Sequence, residues 1–400
     1  MFAIRRYSKI NGKSYIWAAA SIHFILNLLI VCPLIEAQKP EFLLFSPQLP
    51  PPSVQEVYDQ GLEDQSRFRP LAEGALWDAG DMTDEEQMYV ELINRARANP
   101  AEEGQWLVSL KDPDVVRNLS FFSVNLDQVL NDPLHGFLNL LPAPPLAPNA
   151  MLNAGARAHV EDMFTNTFQG HTGTDGSRAG DRIKREGYNW RATGENVFSS
   201  VDSVTHGHAG FQIDWGIGPG GIQSPPGHRL TIHNRDYREI GVGVIVGSRD
   251  NAFPNDPNPI YRDVGPQLTG QVLATPLSDS IFITGVAYYD FNSNSFYDMG
   301  EGLGGLTVEI PNNAFHAVTM NSGGYSIPVT SNGDFEVQFS LDNLPNQNSS
   351  VTIANLANVK LDYMLEYQPL VGGANTVGIN QTAAFELPAL FLADQYQLES

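Results

Sequence analysis

At 400 residues the chain is longer than one hydrophobic core comfortably serves, so two domains are expected, and 42% hydrophobic residues supply apolar surface for both. A formal charge of -22 excludes nucleic acid as a partner, because phosphate recognition needs clustered Lys and Arg that the chain lacks. The single cysteine, Cys32, sits in an N-terminal leader, so the remainder offers neither a disulfide nor a thiolate metal site.

In that leader Arg5, Arg6, Lys9 and Lys13 precede an apolar run from Ile16 to Ile35, and Ala37 puts a small residue just before Gln38. Residues 1–37 therefore read as an export signal, which places the mature protein outside the cell or in the cell envelope. Left uncleaved, the run is long enough to act as an anchor and attach the protein to a membrane or cell surface. Residues 38–80 carry Pro40, Pro47, Pro50, Pro51, Pro52 and Pro70 without a hydrophobic period and read as an exposed linker.

Thr83 and Glu86 make a capping box ahead of a helix with Met88, Leu92 and Ala96 at helical spacing, stopped by Asn99-Pro100. Glu91, Asn94, Arg95 and Arg97 fall on its other faces and are expected to form a solvated side. Residues 111–148 are apolar without one period and are expected to pack irregularly. Asn149 caps a second helix through Leu152, Ala156, Val160 and Met163, with His159 off that stripe as a surface or hydrogen-bonded histidine. Ser177 opens a short helix through Ile183. Asp202 or Ser203 opens another through His208, Phe211 and Trp215, broken by Gly216 to Gly221 and Pro225-Pro226. His206, His208 and His233 are expected to be structural or exposed.

Ile240 to Val246 reads as a buried strand and Leu268 to Leu273 as a further one, separated by a polar, proline-broken loop from Arg249 to Pro266. Helices and strands without βαβ regularity indicate a layered α/β or α+β domain over residues 81–275. From Ile281 the chain changes to short β-rich runs: Phe282 to Tyr289, Leu306 to Ile310, Tyr325 to Val329 and Phe335 to Phe339. They predict an all-β sandwich over residues 281–345, followed by an unassigned β-rich tail over residues 346–400.

Three glycine-adjacent signatures stand out in the first domain: Gly170-His171-Thr172, Gly194-Glu195-Asn196 and Gly227-His228-Arg229. Two imidazoles and a carboxylate suit zinc or another divalent metal, or general acid-base work without a metal. Glu195 also has a structural reading, as an acceptor for backbone donors that closes a turn.

The run Glu91 to Pro100, then Pro145-Leu146 ahead of a helix bearing Ala158-His159 and Asp162-Met163, then these three signatures in order, resemble the bacterial branch of the CAP superfamily, also called SCP domains, over about residues 82–273. The resemblance implies an α/β/α sandwich whose groove presents two histidines and usually two acids, a set that binds divalent metal in some members. His171 and His228 match the histidines and Glu195 the first acid. Asp214 takes the second place if Phe211 stands where relatives have a tryptophan; an exposed helix acid is the other reading. The disulfides of eukaryotic members are absent.

In the second domain Asp290-Phe291-Asn292-Ser293-Asn294-Ser295-Phe296-Tyr297-Asp298-Met299-Gly300-Glu301 has the spacing of a calcium loop. Asp290, Asn292, Asn294, Asp298 and Glu301 would supply side-chain oxygens and Phe296 its carbonyl. Ser295 stands where such a loop expects glycine. With Gly302 to Val308 and Asn321 to Tyr325 behind it, the segment resembles the calcium-binding B-type repeats of bacterial surface adhesins over about residues 281–340.

Two functions compete. One is a secreted or surface-exposed binding protein that takes a small ligand, lipid or glycan in the CAP groove, with a calcium-stabilised β-domain as spacer or adhesive module. The other is a metal-dependent hydrolase, in which an ion on His171 and His228 activates water and Glu195 is the base.

Overall fold

A computed structural model describes residues 8–10, 13–15, 74–246, 267–341 and 346–366. The apolar leader run, most of the proline-rich linker, the 249–266 loop and the end of the tail lie outside the described residues. The chain divides into two units, residues 1–69 and 70–400. In the first, β1 (Ser8–Ile10) pairs antiparallel with β2 (Lys13–Tyr15). Among the described residues no helix is long and apolar enough to cross a membrane.

The second unit is a mixed α/β structure with a CAP-like α/β/α sandwich and a C-terminal all-β region. β3 (Ala75–Leu76) is followed by α1 (Asp84–Ala98), where the Thr83 hydroxyl accepts from the Glu86 N–H and the Glu86 carboxylate accepts from the Thr83 N–H. Asn99 ends this helix and caps the next, α2 (Pro100–Ser109). Where no period was legible the chain forms α3 (Pro113–Phe121), α4 (Leu126–Asn131) and a 3₁₀ turn at Phe137–Asn139, the two helices started by Asp112 and Asn125 as N-caps. These pieces are too short for a hydrophobic stripe to repeat.

The CAP sheet has the order β4 (Ala147–Pro148), β6 (Glu239–Val246), β7 (Gln267–Pro276), β5 (Trp190–Val201). On one face lies α5 (Ala150–Asn166), with α6 (Ala179–Arg185) beside it. On the other, α1 and α7 (Val204–Ile213) bury Tyr89, Leu92, Ile93 and Phe211 against Ile240, Val242 and Leu273. Each aliphatic side chain of this set, fully buried, contributes roughly 2 kcal/mol. A Cβ at Gly241 would fall 2.1 Å from the Leu152 carbonyl carbon, and one at Gly243 would fall 2.7 Å from the Arg157 nitrogen. The Gly-Val-Gly pattern therefore lets α5 lie directly on β6. The last helix of this part is α8 (Gly227–Ile232).

Only residues 277–280 separate β7 from β8 (Ile281–Asp290). The β-region continues with β9 (Thr307–Glu309), β10 (Phe315–Val318), β11 (Gly324–Val329), β12 (Gly333–Ser340), β13 (Gln347–Ile353), β14 (Val359–Lys360) and β15 (Tyr363–Glu366). One sheet runs β13-β12-β9-β10-β3 and the other β11-β8-β14, with β15 also on β8. Ile281, Ile283, Val308, Ile327, Val337 and Phe339 fill the space between the sheets. The strands after residue 346 thus belong to the same two sheets.

The β-region packs firmly on the CAP sandwich. β3, from the segment before α1, is an edge strand of the β-region. Ser326 donates to the Pro148 carbonyl at 3.0 Å, Asn358 to the carbonyls of Pro145 and Arg238 at 3.0 and 2.7 Å, and Lys360 pairs with Glu91 at 2.8 Å. Strand β8 is buried on both faces for this reason. Ile281 and Ile283 enter the sandwich core while Val286 and Tyr288 pack with Met88 of α1.

Most of the polar residues of α1 expected on a solvated side are buried, Arg95 alone of the four staying partly exposed. Arg97 is fully buried because its guanidinium donates to the carbonyls of Pro144, Ile232, Asn234 and Tyr237, tying these distant loops to the helix. Asn94 exchanges two bonds with Leu146, and Glu91 is 2% exposed. His159 is likewise buried, with Nε2 on the Gly170 carbonyl at 2.7 Å.

Candidate functional site

The four residues picked out as a cluster form two histidine–carboxylate dyads. His171 lies in the turn after α5, and its Nδ1 is 3.0 Å from Oε2 of Glu195, which projects from the middle of β5. His228 is the second residue of α8, and its Nδ1 is 2.7 Å from Oδ1 of Asp214. Asp214 is the C-cap of α7 at φ 59, a left-handed turn that swings its side chain off the helix so that Oδ2 also takes the His228 N–H at 2.9 Å. Phe211, one turn earlier on α7, packs against the His228 ring at 5.3 Å between centroids. Asp214 is thus a buried partner of His228 rather than an exposed helix acid.

Glu195 and Asn196, neighbours on a strand, project to opposite faces. Glu195 thereby reaches His171 while the Asn196 amide donates to the His228 carbonyl at 3.4 Å and to Gln271 at 3.2 Å. One dipeptide touches both dyads.

The carboxylates are buried and fully engaged, whereas the rings are open. The Glu195 side chain is 5% exposed, and its second oxygen accepts from Arg182, itself 6% exposed on α6. Asp214 is 1% exposed. His171 is 59% exposed and His228 23%, and no described residue bonds the Nε2 of either ring. A carboxylate on Nδ1 fixes tautomer and orientation and leaves Nε2 as the working edge.

This bears on the metal reading. Among the described residues no three His, Cys, Asp or Glu side chains converge as a metal-holding group. Using Glu195 or Asp214 as a ligand would compete with Arg182 or with the His228 N–H, and an uncompensated buried arginine is costly. The donor atoms that remain free are the two imidazole Nε2, so an ion in this region would have to take its protein ligands from His171 and His228.

Sequence reasoning missed Arg182 and the burial of His159, whose ring lies 3.9 Å from Glu195 and whose tendency to protonate is lowered by burial. Of the two expectations for His206, His208 and His233, structural or exposed, the structure shows the first, since all three are buried. His206 stacks on Trp215, His208 binds Glu103 at 2.9 Å, and His233 binds Gln212 at 3.0 Å. The only available signal was their position on or beside hydrophobic stripes.

In the calcium-loop candidate, Asp290 accepts the N–H groups of Asn294 and Ser295, and Glu301 accepts those of Phe291 and Asp298. The amides of Asn292 and Asn294 both donate to Asp298 Oδ2, at 2.6 and 2.7 Å. Asp290 and Glu301 are 4% exposed, and burial, together with Asp298 and Asp290, pushes the Glu301 carboxyl up. Ser295 adopts φ 59, the left-handed conformation that glycine takes without strain.

Residues 90–254 match the family model for CAP, the cysteine-rich secretory protein family, and that stretch is a CAP (SCP) domain. Among solved structures the chain is similar to an extracellular protein containing an SCP domain from Bacillus anthracis str. Ames, with 17% identity and a TM-score of 0.24. The match covers 42% of this chain and 45% of that one. No curated protein matches the chain.

Proposed function

We propose that the protein is an extracellular binding protein whose CAP domain recognises a small ligand, lipid or glycan through the outward edges of His171 and His228. The observation that carries this reading is the division of labour in each dyad: a buried, fully bonded carboxylate behind an exposed ring. Such rings are preorganised donors or acceptors, which lowers the ordering cost of binding. The hydrolase reading is not favoured on the same ground, because a base must reach water, and Glu195 is 5% exposed with its oxygens turned to Arg182 and His171. A divalent ion held by His171 and His228 would supply a Lewis-acidic anchor for an oxygen of the ligand.

The β-region then acts as a spacer or adhesive module stabilised by Ca²⁺ on Asp290, Asn292, Asn294, the Phe296 carbonyl, Asp298 and Glu301. Three carboxylates in one short loop, two of them buried, are what a bound dication would relieve. Melting of the full chain in calcium and in chelator tests this: a rise in melting temperature with calcium that Glu301→Gln abolishes supports it, and identical curves refute it.

For the groove, calorimetric titration of lysophospholipid, short oligosaccharides and Zn²⁺ into the full chain and its His171→Ala and His228→Ala forms is decisive. Binding lost in the variants with folding intact supports recognition. Binding indifferent to both rings overturns it, as does turnover of peptide or ester substrates that Glu195→Gln abolishes.

A further inference from the structure

A cavity of about 480 Å³ lies where the CAP sheet meets the β-region, a size typical of small-molecule sites. It is lined by Glu239 at the start of β6, Asn149 at the cap of α5, Tyr188 after α6, and Trp77, Leu277 and Phe282 from the flanking segments. The Trp77 and Phe282 rings stand 5.8 Å apart at a tilt of 49°. Leu277, on the short β7–β8 connection, is 59% exposed. The histidine dyads contribute nothing to this cavity.

Glu239 is the one acid in the lining, and it is 2% exposed. Its Oε1 accepts from the Asn149 amide at 2.8 Å and its Oε2 from the Tyr188 hydroxyl at 2.6 Å. Both partners are neutral, and no ion pair to Glu239 is found among the described residues. The adjacent Arg238 sends its guanidinium to the Ser280 carbonyl at 2.9 Å instead. Burial pushes the Glu239 carboxyl up to about 7 against the pull of its two hydrogen bonds and of the nearby Arg238 charge. A carboxylate in this state has its hydrogen-bond donors but no directly paired cation, Arg238 acting on it only through space.

That distinction selects the ligand. A primary ammonium brings three N–H donors that need acceptors, yet each Glu239 oxygen keeps only one lone pair beyond the donor it holds and the Asn149 side-chain carbonyl oxygen already accepts from the N–H groups of Met151 and Leu152, which leaves fewer acceptors than donors. A fully alkylated ammonium brings positive charge and an apolar surface with no N–H to satisfy, and aromatic faces attract it. We propose that this cavity binds a small quaternary ammonium ligand, its charge opposite Glu239 and its methyl groups against Trp77, Tyr188 and Phe282. A net charge of -22 favours the approach of such a cation.

The test uses the full chain with choline as probe and 3,3-dimethylbutan-1-ol as its neutral isostere. Calorimetry at about pH 8 should show saturable choline binding at least about tenfold tighter than the alcohol, a difference of about 1.4 kcal/mol. Glu239 is the group in the lining that titrates between about pH 5.5 and 8, since Tyr188 is held above the tyrosine range by burial and by Glu239. Choline affinity should therefore fall as pH drops through that window in the unmutated protein. Glu239→Gln should cost about tenfold at pH 8, while His171→Ala leaves choline binding unchanged. Equal binding of choline and the alcohol would show an apolar pocket without cation recognition and overturn the proposal, as would the absence of saturation or of pH dependence. Because charge and pH are compared in the unmutated chain, a misfolded Glu239→Gln form does not rescue or sink the idea.

Discussion

Replacing Glu239 by glutamine should stabilise the protein above neutral pH. Burial raises this carboxyl from an ordinary 4.5 to about 7. Each unit corresponds to about 1.4 kcal/mol, so the ionised form costs the fold about 3 kcal/mol. The sign follows from proton linkage: the folded state binds the proton more tightly, so stability from this group is fully present below pH 4.5 and lost as pH rises through about 7. Glutamine satisfies the same neighbours, since its oxygen can accept from Asn149 and its amide can donate to the Tyr188 oxygen. In urea unfolding followed by tryptophan fluorescence, the two proteins should match within about 1 kcal/mol at low pH and diverge to about 3 kcal/mol in favour of Glu239→Gln above neutrality. A stability difference that does not change with pH, or a variant less stable at high pH, would refute the reasoning.

His233 is the mirror case. Burial, with Arg97 and Arg229 nearby, lowers it to about 3, so its contribution is present above pH 6.5 and lost as pH falls toward 3; His233→Gln should remove roughly 5 kcal/mol of acid sensitivity from the unfolding curve. Lys360→Met strands Glu91, whose carboxyl burial already pushes up, and should cost about 3 kcal/mol in chemical denaturation, with most of it recovered in the Lys360→Met, Glu91→Gln double variant. Ser295→Gly relieves a left-handed residue at φ 59 and should raise stability by up to about 1 kcal/mol, read as a higher melting temperature.

Much of the architecture was legible because it is written in local chemistry. The capping box at Thr83 and Glu86, the Asn149 cap and the Ser203 start act through side chains within a few residues of the backbone they satisfy. The β-runs after Ile281 show because Val337 and Phe339 alternate with more exposed residues along β12. Gly241 and Gly243 read as interruptions of a strand, but their purpose, the close approach of α5, needs the partner helix in view.

Arg97, Asn94 and Glu91 looked like a solvated face because their partners, the Pro144 and Ile232 carbonyls, Leu146 and Lys360, lie far along the chain. Glu195 appeared beside a glycine with no strand signal; its strand exists because β7 pairs with it, Glu195 opposite Val272.

By itself the sequence determined the helix caps, the change from mixed α/β to all-β near Ile281, and which imidazoles and carboxylates stand beside turns. It did so because caps, periodicity and turn residues act over a few positions. Only the tertiary structure decided that His171 takes Glu195 while His228 takes Asp214, that Arg182 occupies the second oxygen of Glu195, and that Glu239 lines a cavity shared with the β-region. Those pairings join side chains from separate elements, and their burial depends on the packing of every layer between them.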